Sequence, residues 1–210
     1  MDKRYAIFDM DGTLVDSMSF WKTLASEYLG SKGVTKIPAD LPERIKPMTL
    51  SESSALFRQT FGLTGDPESE MNAMMDDHYR HDIPLKPGVA AYLRRLRSRG
   101  VRMGVASATA EHLMTACLER LGVLPCFEFL VSCESVGAGK RSPAVYHECA
   151  RRLGAPPADI AVYEDALCAV QTAKNAGFYV VGVRDDSVGT NWKTIESIAD
   201  ETILDWEEAI

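Results

Sequence analysis

The sequence contains no CxxC pair, and its five cysteines are an odd number that disulfides cannot fully join. Two cysteines at that spacing would be the usual sign of a zinc site or a redox pair. Several of the five fall at apolar positions of predicted helices or strands. We therefore expect them to be small buried hydrophobic residues in a reducing compartment; they are Cys117, Cys126, Cys133, Cys149 and Cys168.

Long apolar runs are also absent. No uninterrupted apolar segment reaches the roughly 20 residues that a transmembrane helix needs. The first four residues, MDKR, lead directly into an apolar strand without the apolar region of a signal peptide. The sequence therefore predicts a cytoplasmic protein with no membrane partner.

A dense stripe of lysine and arginine is missing as well. The chain carries 23 basic and 30 acidic residues, a net charge of −7. Nucleic-acid-binding proteins usually present a basic patch, so we expect no nucleic-acid partner. The acidic balance still permits an anionic substrate, because a bound metal ion can dominate the local field.

Strands and helices alternate from residue 86 onward with short connections. The 210 residues, 46% of them hydrophobic, suffice for one domain or for a domain with an insertion. After a first strand that ends before Asp9, apolar runs predict strands over residues 101–106, 127–132, 160–163, 179–183 and 202–204. This alternation predicts an α/β fold in which a Rossmann-like parallel sheet is covered by helices on both faces, giving three layers.

The segment from residue 17 to residue 85 has a different pattern. Apolar residues recur there at helical spacing, and Pro38, Pro42 and Pro47 indicate a linker within it. The sequence therefore predicts two parts: a sheet-containing core over residues 1–16 and 86–210, and an all-helical insertion over residues 17–85.

Two aspartates stand one residue apart at the end of the first strand, in the stretch YAIFDMDGTLV over residues 5–15. Gly12 ends the apolar run, so Asp9 and Asp11 are predicted where a sheet meets a loop. Like charges buried so close together need compensation, which a hard cation such as Mg²⁺ supplies through carboxylate oxygens. One carboxylate can then act as a nucleophile and the other as an acid and base. A pair of turn and capping residues would give the same short pattern.

Other polar residues follow later predicted strands. Ser107 ends the strand over residues 101–106, and Glu164 and Asp165 end the strand over residues 160–163. Lys140 begins the segment after another strand. Ligands of parallel sheets bind beyond the carboxyl ends of the strands, so one site is expected to gather these side chains.

The stretch DMDGTLVDS over residues 9–17 resembles the first motif of the haloacid dehalogenase-like hydrolases. Ser107, Lys140 and the pair Glu164–Asp165 are similar to that family's second, third and fourth motifs and occur in the expected order. The resemblance implies that the helical insertion is a cap over the site. The chain departs from the usual pattern at four non-catalytic positions, Arg141, Ala144, Ala166 and Ala169.

The resemblance implies a Mg²⁺-dependent phosphatase for a small phosphorylated metabolite. Asp9 would form an aspartyl-phosphate, and Asp11 would protonate the leaving oxygen and then activate water. Ser107 and Lys140 would bind the phosphoryl group, and Thr13 would brace the loop. Asp9, Asp165 and the backbone carbonyl of Asp11 would hold the metal, with Glu164 either a ligand or a hydrogen-bond acceptor beside it.

Two alternatives remain open at this point. β-Phosphoglucomutases share the fold and all four motifs, but they usually carry a histidine about a dozen residues after the nucleophile, where this chain has Trp21. A binding protein that keeps the scaffold without turnover is the other alternative. The particular substrate and the oligomeric state are not specified by the sequence.

Overall fold

A computed structural model of the chain describes residues 3–45, 48 and 50–209. The chain divides into two compact units, one comprising Met1–Ser17 and Ile83–Ile210 and the other Met18–Asp82. We call them the sheet unit and the helical unit. In the described part of the helical unit the helices are α1 (Met18–Ser31), α2 (Leu41–Ile45), α3 (Leu50–Phe61) and α4 (Pro67–His81).

The sheet unit is built on six parallel strands, as far as the described residues extend. They are β1 (Tyr5–Phe8), β2 (Arg102–Ser107), β3 (Phe129–Ser132), β4 (Ile160–Glu164), β5 (Tyr179–Val183) and β6 (Glu201–Ile203). Their order is β3-β2-β1-β4-β5-β6. The predicted α/β class with a parallel sheet is confirmed.

Helices join successive strands, as parallel pairing requires. They are α5 (Val89–Ser98), α6 (Glu111–Arg120), α7 (Ala144–Leu153), α8 (Leu167–Asn175) and α9 (Trp192–Ile198). On one face of the sheet, Ile7 and Val162 belong to a buried cluster that also contains Val145 of α7 and Val170 of α8. Side chains alternate along a strand, so the neighbours of Ile7 and Val162 face the other way.

The other face carries an aromatic cluster. Phe8 and Tyr163 stack with ring centroids 4.2 Å apart, and the Tyr163 ring meets Tyr92 of α5 edge-on at 6.0 Å. Both faces of the central strands are therefore buried, which explains why these strands are almost continuously apolar.

β1 is the strand that positions the site. It pairs with β2 through Phe8 and Val105 and with β4 through Phe8 and Tyr163. The backbone N–H of Asp9 donates to the carbonyl of Tyr163 at 3.0 Å, so the ladder continues to the first acidic residue. The residues that follow β1, β2 and β4 thus emerge side by side at one edge.

Two sequence-based expectations need correction. Cys117, Cys133 and Cys149 are buried as predicted, but Cys126 is only partly buried and Cys168 is exposed near the start of α8. The stretch expected to be a linker contains the short helix α2, since proline is tolerated in the first turn of a helix. Pro47, which was part of that expectation, lies outside the described residues.

Candidate active site

The loop after β1 turns back tightly on itself. The backbone N–H groups of Leu14 and Val15 both donate to the carbonyl of Met10, at 2.8 and 3.0 Å. Gly12 has φ of 79°, a conformation that glycine adopts without strain. Met10 and Leu14 are fully buried and anchor the loop. Asp9, Asp11 and Thr13 are therefore held on a rigid turn.

Three buried acidic side chains meet where β1 and β4 end. Asp9, Glu164 and Asp165 each place one carboxylate oxygen within 4.8 Å of the others. Asp9 and Asp165 are 5% exposed and Glu164 is not exposed at all. The backbone brings them together, because Asp9 follows β1 directly and Glu164 is the last residue of the adjacent strand.

Lys140 is the cation of this cluster. Its Nζ pairs with Oδ1 of Asp9 and lies 2.6 Å from Oε1 of Glu164. Burial lowers the pKa of the Lys140 ammonium, but the charges and hydrogen bonds of both carboxylates outweigh it and raise the pKa overall. The lysine therefore stays charged across the physiological range.

One lysine does not balance three carboxylates. Burial raises the pKa of Glu164 to about 8, although Lys140 opposes the rise. Burial and the charges of Asp9 and Glu164 raise the pKa of Asp165 well above its usual range. Burial and the charge of Asp11 also raise the pKa of Asp9, against the effect of Lys140. The cluster has excess negative charge that a cation would stabilise.

Glu164 uses its two oxygens differently. Oε1 accepts hydrogen bonds from Lys140 and from the hydroxyl of Tyr146, the latter at 2.7 Å. Oε2 is buried and has no hydrogen-bond partner among the described residues. A buried carboxylate oxygen without a partner lowers the stability of the fold, and coordination to a metal ion would give it one.

Hydroxyl groups donate to both oxygens of the Asp11 carboxylate. Ser17 Oγ donates to its Oδ1 at 2.7 Å, and Thr109 Oγ1 donates to its Oδ2 at 2.6 Å. Ser107 Oγ lies 3.4 Å from the same Oδ2 and accepts the backbone N–H of Thr109 at 3.1 Å. These three hydroxyl groups orient the Asp11 carboxylate.

Thr13 connects the loop to both strand ends. Its Oγ1 lies 3.2 Å from Oδ1 of Asp165 and 3.5 Å from Oδ2 of Asp9. Thr13 is fully buried, so its hydroxyl is confined between the two carboxylates. The residues expected from the sequence all lie at this edge of the sheet; they are Asp9, Asp11, Thr13, Ser107, Lys140, Glu164 and Asp165.

An open cleft of about 590 Å³ lies near this edge but is lined by different residues, namely Ala110, Glu111, His112, Thr115, Ser132, Glu134 and Ser135. Ser132 ends β3 opposite Ser107 of β2, so the cleft adjoins the second predicted motif. The ion pairs of Lys140 with Asp9 and Glu164 lie instead at the ends of β1 and β4. The acidic cluster is therefore the candidate active site, and the cleft is lined by other residues.

Sequence reasoning missed three residues that touch the site: Thr109, Tyr146 and Trp206. Trp206 Nε1 donates to the backbone carbonyl of Thr13 at 3.2 Å. For Thr109, the short spacing after Ser107 could have been a signal, because both follow the same strand. Tyr146 and Trp206 contact the site from positions that no local sequence pattern predicts.

The described helices include none with the length and apolar character needed to cross a membrane.

Comparison with known proteins places these features in a family. A model of the haloacid dehalogenase-like hydrolases matches residues 3–177. Hexitol phosphatase B of Escherichia coli (strain K12) is 30% identical over 178 residues, which are 81% of this chain and 79% of that protein. Fructose-1-phosphate phosphatase YqaB of the same strain is 31% identical over 192 residues, which are 88% of this chain and 99% of that protein.

Solved structures share the fold at lower identity. A Thermotoga maritima protein, provisionally named β-phosphoglucomutase, superposes with a TM-score of 0.82 at 24% identity, covering 98% of this chain and 95% of that one. CbbY from Rhodobacter sphaeroides, solved in complex with phosphate, gives a TM-score of 0.71 at 23% identity, covering 98% of this chain and 96% of that one. At these identities the likeness establishes the architecture alone.

Proposed function

Since the chain belongs to the haloacid dehalogenase-like hydrolases, we propose that it is a Mg²⁺-dependent phosphatase that hydrolyses a small phosphorylated sugar or a similar phosphomonoester through an aspartyl-phosphate. The observation that carries this proposal is the buried group of Asp9, Glu164 and Asp165, with Lys140 paired to two of its members. With a divalent cation bound, such a group would offset the charge of a phosphoryl dianion and still present a carboxylate to it.

Asp9 is the proposed nucleophile. One of its carboxylate oxygens attacks phosphorus in line with the leaving oxygen, forming the acyl-phosphate bond as the ester P–O bond breaks. Lys140 supports this step because it offsets the combined negative charge of the carboxylate and the phosphoryl group. Thr13, which lies beside Oδ2 of Asp9, limits the orientations of that carboxylate.

Asp11 is the proposed acid and base. It gives its proton to the leaving alkoxide oxygen, and as a carboxylate it then takes a proton from the water that attacks the aspartyl-phosphate. This second step regenerates the free carboxylate of Asp9 and releases inorganic phosphate. The hydroxyls of Ser17 and Thr109 orient Asp11 for both transfers. Ser107 is proposed to donate a hydrogen bond to a phosphoryl oxygen.

The donor set fits Mg²⁺. Magnesium prefers oxygen ligands from one or two carboxylates, with water and substrate phosphate completing the shell. Asp9, Asp165 and the backbone carbonyl of Asp11 are the proposed ligands, and the unpartnered Oε2 of Glu164 makes Glu164 a further one. When bound, the ion would neutralise phosphoryl charge and fix the orientation of the group.

The substrate class follows from the relatives. Two related phosphatases from Escherichia coli are named for activity on hexitol phosphates and on fructose-1-phosphate. We therefore infer a small phosphorylated sugar as substrate. To the helical unit, Met18–Asp82, we assign the role that the family resemblance implies, a cap whose side chains select the sugar.

The first test is phosphate release from para-nitrophenyl phosphate, with Mg²⁺ and with a chelator. The wild type should hydrolyse the ester only with the metal. Asp9→Asn should abolish turnover, because the amide is a poor nucleophile, and acid quench of the wild type should trap phosphate on the protein. Asp16→Asn, an exposed change in the same loop, is the matched control and should keep wild-type activity.

A panel of hexose, hexitol and glycerol phosphates then defines the substrate. Failure of the wild type on the aryl ester and on the whole panel would contradict the proposal. Interconversion of hexose phosphates with a bisphosphate primer, without net phosphate release, would instead indicate a mutase. Equal activity of Asp9→Asn would exclude Asp9 as the nucleophile.

A further inference from the structure

Trp206 reaches the catalytic loop from far along the chain. It follows β6, is 3% exposed, and its Nε1 donates to the carbonyl of Thr13 at 3.2 Å. Thr13 is itself fully buried. A buried carbonyl without a donor is costly, so this hydrogen bond fixes the orientation of the Thr13 peptide.

The side chain of the same threonine lies between two acidic residues. Thr13 Oγ1 is 3.2 Å from Asp165 and 3.5 Å from Asp9. Rotation of the Thr13 peptide would move this hydroxyl away from both carboxylates. The indole N–H of Trp206 is therefore two hydrogen bonds from the proposed nucleophile.

The indole ring also packs on the strands that carry the acidic residues. Its centroid lies 6.5 Å from that of Phe8 and 5.9 Å from that of Tyr163, with the Tyr163 ring nearly parallel at 26°. Phe8 directly precedes Asp9 and Tyr163 directly precedes Glu164. One side chain thus contacts the last aromatic residue before each part of the acidic cluster.

The segment around Trp206 is fixed by close packing. Gly88 has φ of 82°, and a Cβ there would lie 2.5 Å from the backbone nitrogen of Glu207. Arg95, whose guanidinium lies over the Tyr92 ring, donates to the carbonyl of Ala209. The indole is consequently presented to Thr13 by a backbone with little freedom to move.

We propose that Trp206 is a positioning residue for the reaction, acting on Asp9 through Thr13. It lies beyond residue 177, where the match to the family model ends. The proposal rests on the proposed phosphatase function. In this proposal the region after β6 helps to hold Asp9 in its reactive orientation, in addition to packing against the core.

The first experiment compares kcat and KM for para-nitrophenyl phosphate at saturating Mg²⁺. Trp206→Phe keeps an aromatic ring but removes the N–H, and should lower kcat about tenfold with KM changed less than twofold. A tenfold loss corresponds to about 1.4 kcal/mol. Trp192→Phe, at another buried tryptophan of the sheet unit, is the matched control and should keep the wild-type kcat.

A double-mutant cycle tests the route through Thr13. In a Thr13→Val background, Trp206→Phe should lower kcat less than a further twofold, because the hydroxyl that it orients is already gone. An undiminished tenfold loss in that background would overturn the proposal. So would a wild-type kcat in Trp206→Phe alone.

Hydrogen exchange gives a readout that does not depend on activity. The amides of Leu14 and Val15 close the catalytic turn, and Trp206→Phe should speed their exchange about tenfold while Trp192→Phe leaves it unchanged. If the wild type hydrolyses no ester, the phosphatase proposal fails and this measurement alone decides the role of Trp206. Unchanged loop exchange would overturn it.

A second variant covers the case in which Trp206→Phe does not fold. Benzothienylalanine at position 206 keeps the bicyclic shape and replaces the N–H with sulfur. It should reproduce the kcat loss and the faster loop exchange, with a melting temperature lower by only a few degrees. Wild-type behaviour of this variant would show that the hydrogen bond does not matter.

Discussion

Thr109 Oγ1 donates a 2.6 Å hydrogen bond to Oδ2 of Asp11, while Ser17 occupies the other oxygen of that carboxylate at 2.7 Å. Both oxygens of the proposed acid and base are thus oriented by hydroxyl groups. The carboxylate plane is fixed before substrate binds, which favours proton transfer to a leaving group at a defined position.

Thr109→Val should therefore lower kcat about tenfold, because Asp11 keeps its chemistry but loses one of its orienting donors. Asp11→Asn should lower kcat more, by roughly 10²–10⁴, because the proton carrier itself is lost. Steady-state kinetics on the aryl ester would measure both. Thr115→Val is the control, since Thr115 Oγ1 donates to a carbonyl of its own helix, that of Glu111. Equal kcat in Thr109→Val and Thr115→Val would refute the orienting role.

Lys140→Met should make the fold depend on divalent metal. The change leaves Asp9 and Glu164 buried without their shared cation, which typically costs about 3 kcal/mol. We expect a melting temperature lower by roughly 10 °C in chelator, with much of the loss recovered at millimolar Mg²⁺. Differential scanning calorimetry of the variant with and without metal measures this.

The matched control for that experiment is Lys174→Met, which removes a more exposed pair with Asp200. It should shift the melting temperature by only a few degrees, and equally with and without metal. A deficit in Lys140→Met that Mg²⁺ does not reduce would mean that the acidic cluster binds no cation.

Tyr146→Phe should weaken the apparent affinity for Mg²⁺ about tenfold. The hydroxyl of Tyr146 donates to Oε1 of Glu164 at 2.7 Å and so holds the carboxylate whose other oxygen is a proposed metal ligand. Titration of activity with Mg²⁺ gives the half-saturating concentration. Tyr179→Phe removes a hydrogen bond of the same length to another glutamate, Glu201, and should leave that concentration unchanged. A similar shift in both variants would rule out a specific role for Tyr146.

The ion pair of Lys86 with Asp185 should make stability depend on pH. Nζ of Lys86 lies 2.6 Å from Oδ2 of Asp185, and both side chains are largely buried. Burial tends to raise the pKa of Asp185, but hydrogen bonds from Lys86 and Ser187 outweigh it and lower the pKa below the ordinary value. The folded state therefore binds a proton at Asp185 less readily than the unfolded state does.

Because that pKa is lowered on folding, the stabilisation is present above the unfolded value near pH 4 and is lost as pH falls through the folded value. Lys86→Met should cost about 2 kcal/mol of unfolding free energy at pH 7, and the difference from wild type should shrink below about pH 4. Urea unfolding of both proteins between pH 3.5 and 8 would measure it. A difference that stays constant across this range would contradict the assignment.

The sequence predicted the parts of the fold that local patterns encode. The strand over residues 179–183 has the predicted bounds, because it is a short apolar run between turn residues. Helix α2 was not predicted, because its five residues are too few to show a period and because Pro38, Pro42 and Pro47 indicated a linker. Periodicity needs length, and short helices lack it.

The candidate site follows the same rule. Asp9, Ser107 and Asp165 were expected together because each follows a predicted strand, and parallel strands bring such residues to one edge. Trp206 and Tyr146 were not expected. Their positions depend on how the region after β6 and helix α7 pack against the sheet, and this packing is decided by three-dimensional fit and not by a pattern along the chain.

The central place of β1 has a consequence for biosynthesis. Tyr5 pairs with Arg102 on one side and with Ile160 on the other, so both neighbours of β1 are translated long after it. Until they emerge, β1 is an apolar segment with both edges unpaired, and unpaired edges promote aggregation. In a nascent chain, β1 therefore cannot complete its pairing until the segment around Ile160 has left the exit tunnel.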